Sequence, residues 1–129
     1  MKIVCLDAAT LGGDADLSEI ASLGEFESYE MTESAQTAQR LAGADVVITN
    51  KVLITDEIMA QTALKLICVS ATGTNNIDMQ AAQARGIAVK NVAGYSTNSV
   101  VQQTFASLFA LTNALGYYAD YGGSGKWCE

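Results

Sequence analysis

The residues best placed to do chemistry lie in the stretch LKLICVSATGTNNID, Leu64 to Asp78. A mostly apolar run of strand length ends at Val69, and Ser70-Ala71-Thr72-Gly73-Thr74-Asn75-Asn76 then turns small and polar. At the carboxyl end of a parallel strand, such a loop can turn backbone amides toward an anion with no bulky side chain in the way. Gly73 lets a ligand approach the backbone closely, and Asp78 suits the cap of a helix beginning at Met79. The same pattern also describes an ordinary capped strand-to-helix turn, and spacing alone leaves both readings open. Thr49-Asn50-Lys51 ends another apolar run, where Lys51 could meet an anionic ligand or be a solvated loop lysine. Histidine is absent, which removes the commonest general base and the commonest metal ligand.

Positioning these loops requires alternating strands and helices. Lys2 to Asp7 reads as a central strand with Ile3, Val4, Cys5 and Leu6 buried on both faces and Asp7 at its carboxyl end. Asp14 is a candidate cap for a helix carrying Leu17, Ile20 and Leu23 and closing at Gly24. Glu25 to Met31, with three glutamates, is too polar for a central position and reads as an edge strand. Thr32 then caps a helix with Ala35, Ala38, Leu41 and Ala42 as its apolar stripe, and a third strand spans Asp45 to Thr49. Thr55, Asp56 and Glu57 start a short helix reaching Ala63. Met79 to Arg85 is the next helix, closed by Gly86, and Ile87-Ala88-Val89 is the fifth strand. Five such units predict an α/β fold: a three-layer, doubly wound, parallel five-stranded sheet, flavodoxin-like, in the order 2-1-3-4-5.

Ser96 and Thr97 cap a last helix, 98–116, in which Val100, Val101, Phe105, Leu108, Phe109, Leu111 and Leu115 spread over more than one face. One sheet covers only one side of such a helix, so the other side calls for another domain or a second copy, and a homodimer through 98–116 is expected. Residues 1–116 are expected to form the domain, with 117–129 as a flexible tail around Gly122-Gly123-Ser124-Gly125.

The chain has 129 residues, half of them apolar, and a net charge of −7 with a pI near 4.3. Its size suits one domain with a proper core. The acidity argues against a nucleic-acid partner, and no apolar run approaches the eighteen or so residues of a membrane span. Cys5, Cys68 and Cys128 form no metal or disulfide framework and fit a reducing, cytoplasmic setting.

Three segments together resemble the D-isomer-specific 2-hydroxyacid dehydrogenases, in particular their glycerate dehydrogenase (hydroxypyruvate reductase) branch: Leu64 to Asp78, Gly86 to Thr97, and Ser99-Val100-Val101-Gln102-Gln103-Thr104-Phe105. The resemblance runs from residue 1 to Trp127. It implies a flavodoxin-like substrate-binding domain and the helix that links it to an NAD(P)-binding domain. It further implies that the amides of Ala71, Thr72 and Gly73 hold the carboxylate of a small 2-oxo or 2-hydroxy acid. By the same resemblance Asn50 and Lys51 line the pocket, and Val101 and Thr104 approach the nicotinamide.

The family's glycine-rich pyrophosphate loop and its catalytic arginine, glutamate and histidine have no counterpart here, and Arg40 and Arg85 fall on helices of the wrong segment. The chain is therefore expected to hold no cofactor and to catalyse nothing alone, with only weak binding of the acid. It departs from the branch at Gln103, where histidine is usual, at Ser107 and Phe109, at Gly116 and at Gly122-Gly123. Small and polar residues of this kind suit an isolated domain, whether engineered or drifted. Among other readings, a flavin carrier would need its phosphate loop after the first strand, where Ala8-Ala9-Thr10-Leu11 stands. A phospho-acceptor domain would need an aspartate after the third strand, where Asn50 stands.

Overall fold

The computed structural model describes residues 1–126. Trp127 and Cys128, and with them the end of the tail expected over 117–129, lie outside the described residues. The chain divides into two compact units, Met1–Ala93 and a second from Gly94 onward.

In the first unit, strands β1 (Lys2–Cys5), β2 (Glu25–Ser28), β3 (Val46–Thr49), β4 (Leu66–Val69) and β5 (Ala88–Asn91) form one parallel sheet in the order β2-β1-β3-β4-β5. This is the predicted flavodoxin-like order. The apolar runs make it so: Ile3, Val4, Cys5 and Leu6 are all buried, as a central strand covered on both faces requires. β2 is half-exposed at the edge, where Glu27 pairs with Lys2 at 3.1 Å.

Helices α2 (Ser34–Arg40), α3 (Asp56–Ala60) and α4 (Met79–Ala84) stand on the face presented by Val4, Leu6, Val47, Ile67 and Val69. There Leu41, Met59, Ala81 and Ala82 complete the core. Burying each large aliphatic side chain in it stabilises the fold by about 1.5–3 kcal/mol. The opposite face, Ile3, Val46, Ile48, Leu66 and Cys68, floors an open apolar groove beside Ile20 and Leu23, which flank the short α1 (Ser18–Ala21).

Several boundaries differ from those the sequence predicts. β1 leads into a single 3-10 turn, Ala8–Leu11, and α1 is one turn long. Asp16, not Asp14, accepts from the Ser18 amide at 2.9 Å. Thr32 does not cap α2: its hydroxyl donates to the Leu6 carbonyl, and the helix starts at Glu33, whose amide donates to Gln36 Oε1 at 3.3 Å. Where caps were well signalled they form. Thr55 accepts from the Ile58 amide, and Asp78 accepts from Ala81 at 3.0 Å. Gly86, at φ +69°, closes α4 in a Schellman motif, with Ile87 N donating to Ala82 O and Gly86 N to Gln83 O.

The second unit holds α5 (Thr97–Thr112) and α6 (Leu115–Gly123). The helix expected over 98–116 ends four residues early, because Ala114 adopts a left-handed conformation at φ +46°. Residues Leu115–Gly123, which include the start of the expected tail, are helical. Tyr117 stacks on Tyr121 at 6.1 Å, the i, i+4 relation of one helix face, and meets Tyr118 edge-on at 5.2 Å. No described helix is long and apolar enough to cross a membrane.

Candidate anion-binding site

The carboxyl ends of β1, β3 and β4 converge on a site organised by a residue the motif reading overlooked. Asp7, 5% exposed, turns its carboxylate into the loop after β3. It accepts from the amides of Asn50 at 3.0 Å, Lys51 at 2.6 Å and Val52 at 3.3 Å, and from Thr49 Oγ1 at 3.1 Å. A buried carboxylate is tolerated because several donors replace its water. The amides of residues 50–52 are thus already occupied by an internal anion. What the loop offers a ligand is the Lys51 side chain, exposed and with no ion-pair partner among the described residues, whereas Lys2, Lys65 and Arg85 each have one.

The loop after β4 is the complement. Its carbonyls and side chains are anchored: Ala71 O accepts from Val92 N at 3.1 Å, Thr72 O from Asn91 Nδ2 at 2.6 Å, and Thr72 Oγ1 donates to Val92 O. The backbone amides of Ala71, Thr72 and Gly73 have no acceptor among the described residues. A β-carbon placed on Gly73 would press on Asn75 Oδ1 at 3.0 Å, so the loop closes tightly at this glycine. Three consecutive amides without acceptors leave donors available to an anion at this strand end.

The two loops are stitched together. Asn76, 9% exposed, donates from Nδ2 to Val52 O at 3.1 Å. Ile54 N donates to Asn76 O, and Asp78 N to Ile54 O, around the isolated bridge Ile54–Ile77. Thr49 pairs with Val69, and Ser70 N donates to Thr49 O at 2.9 Å, so Asn50 and Ser70 follow neighbouring positions. Both carry a buried oxygen without a partner, Asn50 Oδ1 and Ser70 Oγ. Such atoms commonly mark a place completed by water or ligand.

Of the residues singled out in the sequence, Asn50, Lys51, Ala71, Thr72 and Gly73 thus lie at one end of the sheet on adjacent strands. Val101 and Thr104 belong to α5 in the second unit, and the Thr104 hydroxyl is taken up by Val100 O at 2.8 Å. Both arginines noted earlier are structural. The Arg40 guanidinium lies 4.0 Å over the Tyr29 ring and donates to Met31 O, while Arg85 pairs with Asp56 at 2.7 Å. Burial pushes the thiols of Cys5 and Cys68 above their ordinary pKa, so neither is poised as a nucleophile. No group of three or more His, Cys, Asp or Glu among the described residues could hold a metal.

No dinucleotide cradle is formed among the described residues either. The chain has no G-x-G-x-x-G, and the loop after β1 runs into a 3-10 turn, so no α-helix N-terminus faces that strand end. The residues present do not fit a coenzyme pyrophosphate. The same turn, and Asn50 after β3, leave the flavin-carrier and phospho-acceptor readings without their sites.

Known proteins match this architecture. The family model for the catalytic domain of D-isomer-specific 2-hydroxyacid dehydrogenases matches residues 5–119. The chain is 38% identical to the glycerate dehydrogenase of Methylorubrum extorquens over 98% of its length. It is 34% identical to the hydroxypyruvate reductase of Blautia hydrogenotrophica, again over 98%. It spans only 40% and 41% of the lengths of these relatives. Among solved structures, an acyclic imino acid reductase in complex with NADPH and D-Arg superposes with a TM-score of 0.80 at 24% identity. The match covers 97% of this chain and 41% of that one. D-lactate dehydrogenase from Aquifex aeolicus, complexed with NAD and lactic acid, gives 0.75 at 22%, covering 96% and 37%. At these identities the structural likeness speaks for the fold, and the family model and the curated relatives speak for descent: the chain belongs to the D-isomer-specific 2-hydroxyacid dehydrogenase family, within its catalytic domain.

Proposed function

We propose that this chain is the substrate-holding part of an NAD(P)-dependent 2-hydroxyacid dehydrogenase of the glycerate or hydroxypyruvate type. It captures the carboxylate of a small 2-oxo or 2-hydroxy acid on the amides of Ala71, Thr72 and Gly73, with Asn50 and the Lys51 ammonium beside them. One observation carries the reading: three consecutive amides without acceptors on a loop whose other polar groups are tied down. Backbone donors suit a carboxylate because they match its charge without adding a permanent one.

The chain supplies binding and orientation, not chemistry. It has no histidine to move the proton that accompanies hydride transfer, and the coenzyme belongs to a dinucleotide-binding domain that these residues do not form. Toward that domain it offers α5, with Val101 and Thr104 as the residues nearest the nicotinamide. The unpaired Cys5 and Cys68 suit the reducing cytoplasm.

These residues alone cover one side of the ligand, so for residues 1–129 by themselves affinity is expected at about the millimolar level or weaker. Amide proton-nitrogen spectra titrated with hydroxypyruvate, and separately with hydroxyacetone, which lacks the carboxylate, test the assignment. Shifts at residues 71–73 and 50–51 with hydroxypyruvate alone support carboxylate capture. Equal shifts with both compounds, or none with either, overturn it.

A further inference from the structure

We propose that Asn91, the last residue of β5, is a positioning residue that aims the amides of the loop after β4 at the substrate carboxylate; this rests on the assignment of that loop as the substrate site. Its side chain crosses from the fifth strand to the loop, where Nδ2 donates to Thr72 O at 2.6 Å. A second bond runs beside it, from Val92 N to Ala71 O at 3.1 Å. The Thr72 hydroxyl completes the clamp by donating to Val92 O at 3.1 Å. Regular pairing of β4 with β5 ends at Val69 opposite Asn91, so these bonds hold the two chains together past the end of the sheet.

Peptide geometry turns this grip into aim. A peptide unit is planar, and in its trans form the C=O and N–H bonds point in opposite directions. No cis bond occurs among the described residues. The Thr72 carbonyl and the Gly73 amide share one such plane, so a carbonyl held toward Asn91 sends the Gly73 N–H away from β5. The Ala71 carbonyl, held by Val92 N, does the same for the Thr72 N–H. Two of the three amides without acceptors thus owe their direction to the two carbonyls that are held.

Asn91 is the one side chain in the clamp that comes from outside the loop. The Val92 bond is backbone to backbone, and the Thr72 hydroxyl belongs to the loop itself. A primary amide suits the task, because it donates to a carbonyl without bringing a charge that would attract or repel the acid. The bond is solvent-exposed and therefore adds little to folding. Its loss nonetheless frees the peptide between Thr72 and Gly73 to turn, and glycine on one side of that plane makes the turn easy.

Amide spectra of the wild-type chain, Asn91→Ala and Asn91→Asp, each titrated with hydroxypyruvate, test this. Asn91→Ala removes the donor and is expected to weaken binding roughly fivefold. Asn91→Asp keeps the shape but sets a carboxylate against the Thr72 carbonyl, and weakens binding roughly tenfold. Residual dipolar couplings of the ligand-free proteins read the orientation itself: the Gly73 N–H vector turns in both variants, while those of β1, β3 and β4 keep their wild-type values. A residue that only stabilises the fold would lower the denaturation midpoint yet leave affinity and the Gly73 vector unchanged, and that result overturns the proposal. Should Asn91→Ala lose the sheet, the isosteric Asn91→Asp is read in its place. A wild-type chain without shifts at 71–73 overturns the site assignment and this proposal with it, whereas binding of equal strength in wild type and variants overturns this proposal alone.

Discussion

Replacing Asp7 by asparagine keeps the side chain's shape but turns one of its two acceptor oxygens into a donor facing the amides it should receive. Asp7 Oδ2 accepts from Lys51 N, Val52 N, Thr49 Oγ1 and Asn50 N, and Oδ1 also accepts from Asn50 N, so an amide that keeps its oxygen at the Oδ2 position turns its NH2 group toward the Asn50 amide. Asp7→Asn is expected to destabilise the fold by about 2–4 kcal/mol in chemical denaturation, the cost of leaving buried donors unpaired beside a lost charge-assisted bond. A change below about 0.5 kcal/mol would mean that the loop holds itself. This carboxylate could be placed at a strand end from sequence, but its partners lie 42–45 residues away, and no local pattern announces backbone amides. Lys51 was legible as a lysine at a strand end. That Asp7 has claimed its amide while the ammonium stays unpaired follows only from the structure.

At the level of elements, legibility followed how locally each was determined. The central strands and their order were readable because buried parallel strands are continuous apolar runs, and Asp78 was readable because a cap is a three-residue affair. Two short helices were overextended: α1 and α3 are only about one turn long, and helices of that length have little stability of their own to carry them further. Gly24 shows the other failure. Its sequence context suggests a helix terminus, but it stands where the chain passes Met1 and a β-carbon would come within 2.2 Å of the Met1 carbonyl oxygen. The neighbouring Glu25 amide donates to that same oxygen at 3.0 Å, pairing β2 with β1. Gly24→Ala therefore pushes β2 off the sheet edge, and a loss of about 1–3 kcal/mol in thermal or denaturant unfolding is expected. Wild-type stability in that variant would show that the edge strand yields freely. The helix at 115–123 was missed because three of its nine residues are glycines, poor helix formers, while the i, i+4 tyrosine pair that favours it is a weaker signal in the sequence.

For the molecule as a whole, the family's division of labour explains what is present and what is not. The first unit carries a loop whose amides at 71–73 have no acceptor among the described residues, and the second an apolar, uncharged helix. Neither holds a proton-transfer residue of the usual kind or a dinucleotide cradle. The account rests on a contrast between two loops at one end of the sheet: the amides of residues 50–52 are filled by Asp7, and those of 71–73 are vacant. Amide-resolved hydrogen exchange, with and without saturating hydroxypyruvate, measures that contrast directly. Slow exchange at Asn50, Lys51 and Val52 in both samples is expected, with fast exchange at Ala71, Thr72 and Gly73 that slows when the acid is added. Protection at 71–73 without ligand, or no change there on saturation, would contradict the assignment of this loop as the carboxylate site.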